Sequence, residues 1–475
     1  MLSDLTLLGD TRQMEPTVEQ AEIVSSSREK SNLQIVAYAG TGKTATLRLL
    51  AEAIGGPILY CAFNKRIIEE VLEDFPAECR TLNSVGFRAW SKSITGKITT
   101  DGKKTYNIFK EVSKAYSGDD SKELWDAYGE IAEAVSLAKS AGYVPGGLPY
   151  QARPLVKDEF WGLVSGLSPL QRTVVDEILA LSIRAAYQGG CDFDDQLYMP
   201  VIFGGSFPRF PTVMVDEEQD LNAVNHKMVE KLARSGRLIS VGDPYQSIYG
   251  FRGAVIGGME KNRERFKMEQ RTLSVSFRCP RQIVLNARWR VPDFKWHRDG
   301  GLVQVLGSCS LNRFEEGSAI IARNNAPLFK LALGLLSNNR PCRVAGSDVG
   351  PKLLNIMRRF GENDLSRSAV LEHIEAWREA KAESRGAGDF ADCMRIFTLD
   401  SRTLGEAIAR AEFVLRQEGP ITLITGHKAK GLEWDRVYHL DPWLIGQSEQ
   451  EQNLRYVIQT RAKKAYYEID SRDIV

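Results

Sequence analysis

The sequence predicts an α/β protein made of two parallel-sheet P-loop-type units, each interrupted by a helical insertion. Three observations carry that prediction. The apolar run from Leu33 to Val36 leads into Ala37-Tyr38-Ala39-Gly40-Thr41-Gly42-Lys43-Thr44 and then into a helical stretch from Ala45 to Ala53, giving strand, glycine-rich loop and helix in order. Apolar runs from Ile58 to Cys61, Thr212 to Val215 and Leu238 to Val241 alternate with helical patterns, as a parallel sheet covered on both faces requires. A second alternation begins near Leu273, with strand candidates at 319–322, 343–345, 422–424 and 437–440.

The insertions are read from a change of pattern. From about 91 to 190 the chain is helical and polar, with Lys/Glu-rich faces from 121 to 140, a helix from 170 to 187, and breakers at Gly142, Pro145, Gly146, Gly147 and Pro149. A shorter charged helical segment, 351–418, splits the second alternation. The predicted organisation is a first unit of 1–90 plus 191–268, an insertion of 91–190, a second unit of 269–350 plus 419–475, and an insertion of 351–418.

Composition limits the function classes. A chain of 475 residues exceeds one simple core, and 43% hydrophobic with 26% charged residues is the balance of a soluble globular protein. A net charge of +1 excludes a generally basic nucleic-acid coat, so polyanion binding has to come from local grooves. No apolar run reaches membrane-span length, and the first ten residues lack a signal-peptide pattern. Seven cysteines form no C-x-x-C pair and five histidines no H-x-x-x-H, which argues against zinc or a disulfide framework and for reduced thiols in cytosol or nucleoplasm.

Chemistry concentrates in a few segments. In the loop, the backbone N–H groups of Ala39, Gly40, Thr41 and Gly42 and the following helix N-terminus suit a phosphate; Lys43 would reach the β/γ-phosphates and the Thr44 hydroxyl would hold Mg²⁺. Ala37 occupies the usual first glycine position, which alanine fills if its φ is negative. Val213-Met214-Val215 runs into Asp216-Glu217-Glu218-Gln219-Asp220, a strand ending in carboxylates. Behind a phosphate loop this reads as a Walker B site, with Asp216 on Mg²⁺ and Glu217 as general base. In Gly242-Asp243-Pro244-Tyr245-Gln246-Ser247-Ile248-Tyr249-Gly250-Phe251-Arg252, Gln246 is placed to sense the γ-phosphate or the water, and Tyr249 and Phe251 to stack on bases.

In order and wording these segments resemble the UvrD/Rep/PcrA group of superfamily 1 DNA helicases, and within it the branch containing the F-box DNA helicase, without an F-box. The resemblance runs from Gln20 to Ala462. It implies two RecA-like domains, ATP and Mg²⁺, and translocation on single-stranded DNA, 3′→5′, with unwinding at single/double-strand junctions. It also implies a monomer in cytoplasm or nucleus, off the membrane, working beside single-strand-binding or recombination proteins.

Carried over by residue, the resemblance makes Gln20 the adenine reader and Phe277 the ring stacked on adenine. Arg278 becomes the γ-phosphate arginine, Glu433 the ribose contact and Arg461 a second arginine finger. Phe63, Asn64, Thr81, Asn83, Tyr249, Phe251, Arg252 and His427 become DNA contacts, and Phe193-Asp194-Asp195 closes the first insertion. Departures are Ala45 after Gly-Lys-Thr where the family has arginine, Asn83 where histidine is common, Phe251 for tryptophan, Ile458 and Gln459 for small residues, an aromatic at 63 shifted by one place, and a second insertion far smaller than in UvrD. Two other functions stay open: an ATP-gated binder that strips protein from single strands without efficient unwinding, and an RNA-directed helicase.

Overall fold

The computed structural model describes residues 16–474, except 63–64, 72–74, 235, 251–252, 347–348, 383 and 385. Two six-stranded sheets organise it, parallel throughout. In spatial order the first sheet runs Glu78–Thr81, Ile58–Ala62, Thr212–Val215, Arg237–Gly242, Leu33–Ala37 and Glu269–Leu273. The second runs Leu302–Leu306, Ala462–Ile469, Trp434–Leu440, Ala319–Ala322, Ile421–Thr425 and Cys342–Val344. Central strands such as Thr212–Val215, Arg237–Gly242 and Ala319–Ala322 are buried along their whole length, which is why they appear in the sequence as unbroken apolar runs.

Four strands of the two large sheets escape the sequence reading. Glu78–Thr81 and Glu269–Leu273 are edge strands rich in charged and polar residues, Leu302–Leu306 is a largely exposed edge strand interrupted by Gln304, and Ala462–Ile469 carries two lysines among its aromatics. Glu269–Leu273 pairs with Leu33–Ala37, so the expected boundary at 268 moves C-terminally, past Leu273.

Between 91 and 190 lie the helices Lys104–Ser113, Gly118–Asp126, Tyr128–Ala141, Lys157–Leu163 and Pro169–Tyr187. A short parallel pair, Thr99–Thr100 with Gly190–Cys191, brings the two ends of this segment together. Its apolar faces are continuous with the first sheet: Phe109, Ile131 and Val174 belong to the same buried cluster as Leu59 and Val213. At its base buried Lys104 pairs with buried Asp195, and buried Lys139 with Asp195 and the partly buried Asp192, so Asp192 and Asp195 are neutralised internally.

The second sheet is interrupted by Val349–Arg358, Arg367–Ala380, Ala387–Leu399 and Leu404–Leu415. Asp389 docks this segment onto the sheet unit by accepting the N–H groups of Asn325 and Ala326, the orphan donors at the start of the helix Asn325–Ser337. The two insertions touch where Lys381 Nζ lies 2.8 Å from Glu130 Oε1. Among the described residues no helix is long and apolar enough to cross a membrane.

Candidate active site

The strand Leu33–Ala37 sits inside the first sheet and releases the chain into the loop that caps the helix Lys43–Ile54. Gly40 and Gly42 take φ of 70° and 79°, the left-handed region that a side chain resists, whereas Ala37 has negative φ and needs no glycine. A Cβ on Gly40 would lie 2.4 Å from Arg278 Cβ, so the loop also needs glycine for close approach. Gly42 caps the helix with no side-chain partner, which leaves its first N–H groups facing the cleft.

The strand Thr212–Val215 delivers two carboxylates opposite the loop. Asp216 accepts from the Tyr60 hydroxyl at 2.6 Å and from the Glu217 N–H at 2.8 Å. Glu217 has φ of 52°, a left-handed backbone that costs a non-glycine residue roughly 1–2 kcal/mol and aims its side chain back at the loop. There it meets Lys43, with Nζ to Oε1 at 3.0 Å. Burial pushes Lys43 towards neutrality, but Glu217, Asp216 and Asp243 outweigh it and hold the ammonium above its ordinary range. Burial, then the charge of Glu217, raises Asp216; burial also acts on Glu217, but Lys43 and Lys430 hold that carboxyl below its ordinary value. Glu217 is therefore the more readily ionised member of the pair.

Residues of the second unit close the other side. Arg461 is buried, with Nε on the Val457 carbonyl at 2.9 Å, Nη1 on the Leu432 carbonyl and Nη2 on Gln246 Oε1, each at 3.2 Å. Gln246 in turn donates to Asp243 Oδ2 at 2.6 Å. Burial and the neighbouring Arg278 lower the Arg461 guanidinium to about 10. Lys430 reaches Asp220 and the Gln246 carbonyl at 2.7 Å, while Arg278 pairs with Glu433 at 2.6 Å. Together these groups line a cleft of about 390 Å³ that contains all six predicted catalytic residues, Lys43, Asp216, Glu217, Gln246, Arg278 and Arg461.

Gln20 and Phe277, expected at the adenine, both flank the loop: a Cβ on Gly42 would lie 3.3 Å from Gln20 Nε2 and 3.8 Å from the Phe277 ring. Gln20 is held by a capping box with Thr17 and by Thr46 Oγ1 at 3.1 Å. Glu433, expected at a ribose, has its carboxylate taken by Arg278 and, at 3.6 Å, Lys463.

The donors expected for Mg²⁺ fit a hard cation: the Thr44 hydroxyl and the Asp216 carboxylate line the same cleft. No group of three or more His, Cys, Asp or Glu able to hold a metal occurs among the described residues. Two protein oxygens, completed by phosphate and water, is a Mg²⁺ arrangement, not a protein cage.

Of the expected DNA contacts, Phe63, Asn64, Phe251 and Arg252 lie outside the described residues. Thr81 Oγ1 accepts the Ser84 N–H and caps the helix Leu82–Ser91. Asn83 is buried and donates to the Phe193 carbonyl at 3.0 Å, whereas the Phe193 ring is 65% exposed and available to a ligand. Tyr249, expected to face bases, lines the cleft: Lys430 sits 4.9 Å above its ring, and its hydroxyl donates to the His427 carbonyl. The 3₁₀ turn Pro244–Gln246 lies just before it in the chain, and its last residue, Gln246, lines the same cleft.

The sequence reading missed Tyr60, Gln219 and Lys430 as site residues. Gln219 links Glu217, to which it donates, with the Asp243 N–H, which donates to its Oε1 at 2.9 Å. Lys430 stands between His427 and Glu433, both carried over by the resemblance; Tyr60 and Gln219 act through other residues, and only the folded contacts reveal them.

Two parallel sheets that jointly enclose a phosphate loop, an acidic strand end and buried arginines define a protein with two RecA-like helicase domains. Residues 204–267 match the UvrD/REP helicase N-terminal domain and residues 368–471 the UvrD-like helicase C-terminal domain. The chain is 26% identical to F-box DNA helicase 1 of Gallus gallus over 94% of its own length and 48% of that protein's. It is 24% identical to F-box DNA helicase protein 1 of Schizosaccharomyces pombe, over 94% and 56%. To the ATP-dependent DNA helicase UvrD1 of Mycobacterium bovis it is 28% identical over 54% of the chain and 37% of the relative. The chain thus spans about half the length of its F-box relatives.

Proposed function

We propose that the chain hydrolyses ATP in the cleft between its two sheets and uses the cycle to move 3′→5′ along single-stranded DNA, opening duplex at junctions. The observation that carries the reading is the meeting of Lys43 and Glu217 from the first unit with Arg461 from the second, through Gln246, in one cleft.

In that reading Lys43 leaves Glu217 for the β/γ-phosphates. Glu217, ionised and aimed by its left-handed backbone, orients a water against Pγ and takes its proton as the Pγ–O bond to ADP breaks. Charge developing on the transferring group is met by Arg461 and by Arg278, which exchanges its Glu433 partner for phosphate. Mg²⁺, held through Thr44 and Asp216, would supply further neutralisation of the β/γ-oxygens. Loss of the bridging phosphate charge relaxes the contact between the units, and alternating grip on the strand converts that motion into steps.

The small second insertion, four helices between Val349 and Leu415, favours a second reading: translocation that displaces bound protein with little duplex opening. Matched duplexes with a 3′ or a 5′ tail, incubated with ATP and either the native chain or Lys43→Ala, separate the two. Unwinding of the 3′-tailed substrate by the native chain alone is the expected result. ATP turnover stimulated by single strands without unwinding favours the second reading, and turnover equal in the Lys43→Ala chain overturns both.

A further inference from the structure

Behind the phosphate loop the two units are joined differently from the way they face each other across the cleft. Tyr38, the first residue after the strand Leu33–Ala37, turns its side chain out of the first unit. Its hydroxyl lies 2.9 Å from both carboxylate oxygens of Asp293, with its ring edge-on to Phe294 at 6.0 Å and 5.8 Å from Tyr245. Tyr456, on the helix Glu449–Gln459, reaches in the opposite direction. Its hydroxyl accepts the Ala39 N–H at 3.1 Å and lies 3.5 Å from Asp243 Oδ2. Ser276 Oγ donates to the Ala39 carbonyl at 2.8 Å, and the Phe277 N–H to the Gly40 carbonyl at 2.9 Å. Three successive loop residues are thus each bonded to a partner beyond the first sheet.

The setting is largely apolar, with Asp293 at its exposed edge. Tyr38 and Ala39 are buried in one cluster with Ile248, Phe294 and Tyr456, and neither tyrosine lines the cleft. Units that parted at this face in each cycle would break these bonds and wet the cluster. Tyr456 also stands five residues before Arg461, and Arg461 Nε is bonded to the carbonyl of Val457, next to Tyr456. A ring of contacts returns from Tyr456 through Asp243 and Gln246 to the Arg461 guanidinium.

We propose that Tyr38 and Tyr456 are positioning residues that pin the phosphate loop to the second unit, so that the cleft opens by rotation about the loop and closes with Arg461 returned to a fixed distance from it. This rests on the ATPase reading. The pin predicts loss in the catalytic step, not in nucleotide capture, because the groups facing the phosphates stay in place.

The full chain is assayed with saturating single-stranded DNA. Tyr38→Phe and Tyr456→Phe should each lower kcat about five-fold, the equivalent of one net hydrogen bond, with KM for ATP changed by less than about two-fold. Asp293→Asn, which keeps an acceptor oxygen, should stay within about two-fold of the native kcat, and Tyr38→Phe combined with Asp293→Ala should be no slower than Tyr38→Phe alone. Independently of activity, amide exchange at Ala39 should quicken about ten-fold in Tyr456→Phe. Unchanged kcat in both Phe variants, a loss confined to KM, a fall matched by loss of folded protein, or unchanged Ala39 exchange overturns the pin. A native chain that hydrolyses no ATP overturns the ATPase reading instead, and the exchange measurement then still decides whether Tyr456 holds the loop.

Discussion

Lys43 Nζ lies 3.0 Å from Glu217 Oε1, so the lysine of the phosphate loop and the carboxylate at the end of the acidic strand are each other's partners. In the proposed cycle, phosphate binding and activation of the water are coupled: occupying Lys43 with phosphate oxygens releases Glu217 for the nucleophile. Glu217→Gln should retain ATP binding and lower single-turnover hydrolysis by about 10²–10⁴-fold, the usual worth of a positioned base. Equal hydrolysis in the variant would remove Glu217 from the chemistry.

Removing the lysine has a consequence for stability as well. Lys43 is buried among Glu217, Asp216 and Asp243, and Lys43→Ala leaves three carboxylates without that cation. Asp216 and Asp243, already raised, then rise further above their unfolded values, while Glu217 loses the cation that holds it below its own. A carboxyl raised in this way adds stability that is lost as pH climbs through its folded value. Burial already sets Asp243 at about 6. The Lys43→Ala chain should thus lose more melting temperature between pH 5 and pH 8 than the native chain, as thermal unfolding across that range would reveal.

The two arginines should not behave alike. Arg461 is enclosed, with carbonyl and amide oxygens on three sides, whereas Arg278 sits at the cleft mouth in a replaceable pair with Glu433. Replacing either by alanine should slow hydrolysis, by up to about 10³–10⁵-fold for a finger that meets the transferring phosphoryl group. Only Arg461→Ala should also reduce thermal stability, because it leaves buried acceptors unpaired. Arg461→Lys should rescue little, since a single ammonium cannot span three acceptors set in a fork.

What could be read in the sequence follows from burial. Thr212–Val215 and Ala319–Ala322 are wrapped on both faces, and their apolar runs announce them. Glu269–Leu273 and Glu78–Thr81 lie at sheet edges where Glu, Gln, Arg and Thr are tolerated, so no pattern marks them. The residues proposed to act on phosphate, such as Lys43, Glu217 and Arg461, stand in segments whose residue types that chemistry would dictate. Gln219, Tyr60 and Tyr456 act by holding other groups, and their roles depend on contacts made across 2, 156 and 417 positions of chain. Tyr249 is half-buried, and the placement of Lys430 from the other unit 4.9 Å from its ring depends on the same kind of long-range contact.

Glu218 has a buried, uncharged-partner environment beside the catalytic pair. Its oxygens accept from Gln34 Nε2 at 2.9 Å, Ser240 Oγ at 2.7 Å and Asn262 Nδ2 at 2.8 Å, all neutral donors. Burial pushes its carboxyl up to about 7 against those bonds. The sign follows from linkage: the contribution is complete below the unfolded value and disappears as pH rises through about 7. Glu218→Gln should flatten the fall in stability between pH 5 and pH 8 and leave the variant as stable as the native chain, or more so, at the alkaline end. An unchanged pH profile of unfolding would mean the native carboxyl is ionised throughout.

Gly86 tests how the helical segment is fastened to the first sheet. It lies in the helix Leu82–Ser91, where alanine would ordinarily stabilise by about 0.5–1 kcal/mol. Here a Cβ would stand 2.1 Å from the Gln196 carbonyl oxygen and 3.1 Å from its carbon, and backbone cannot swing aside. Overpacking of that kind costs about 1–3 kcal/mol, so the clash outweighs the propensity gain and Gly86→Ala should be destabilising. The helix would have to lift from Asp195–Phe203, and with it Asn83, whose amide holds the Phe193 carbonyl. Single-strand affinity should therefore fall together with melting temperature, and its salt dependence should flatten if phosphate contacts are lost with the shift. A Gly86→Ala chain that melts higher than the native one would mean the two helices have room to part, and that this crossing does not set the position of Asn83.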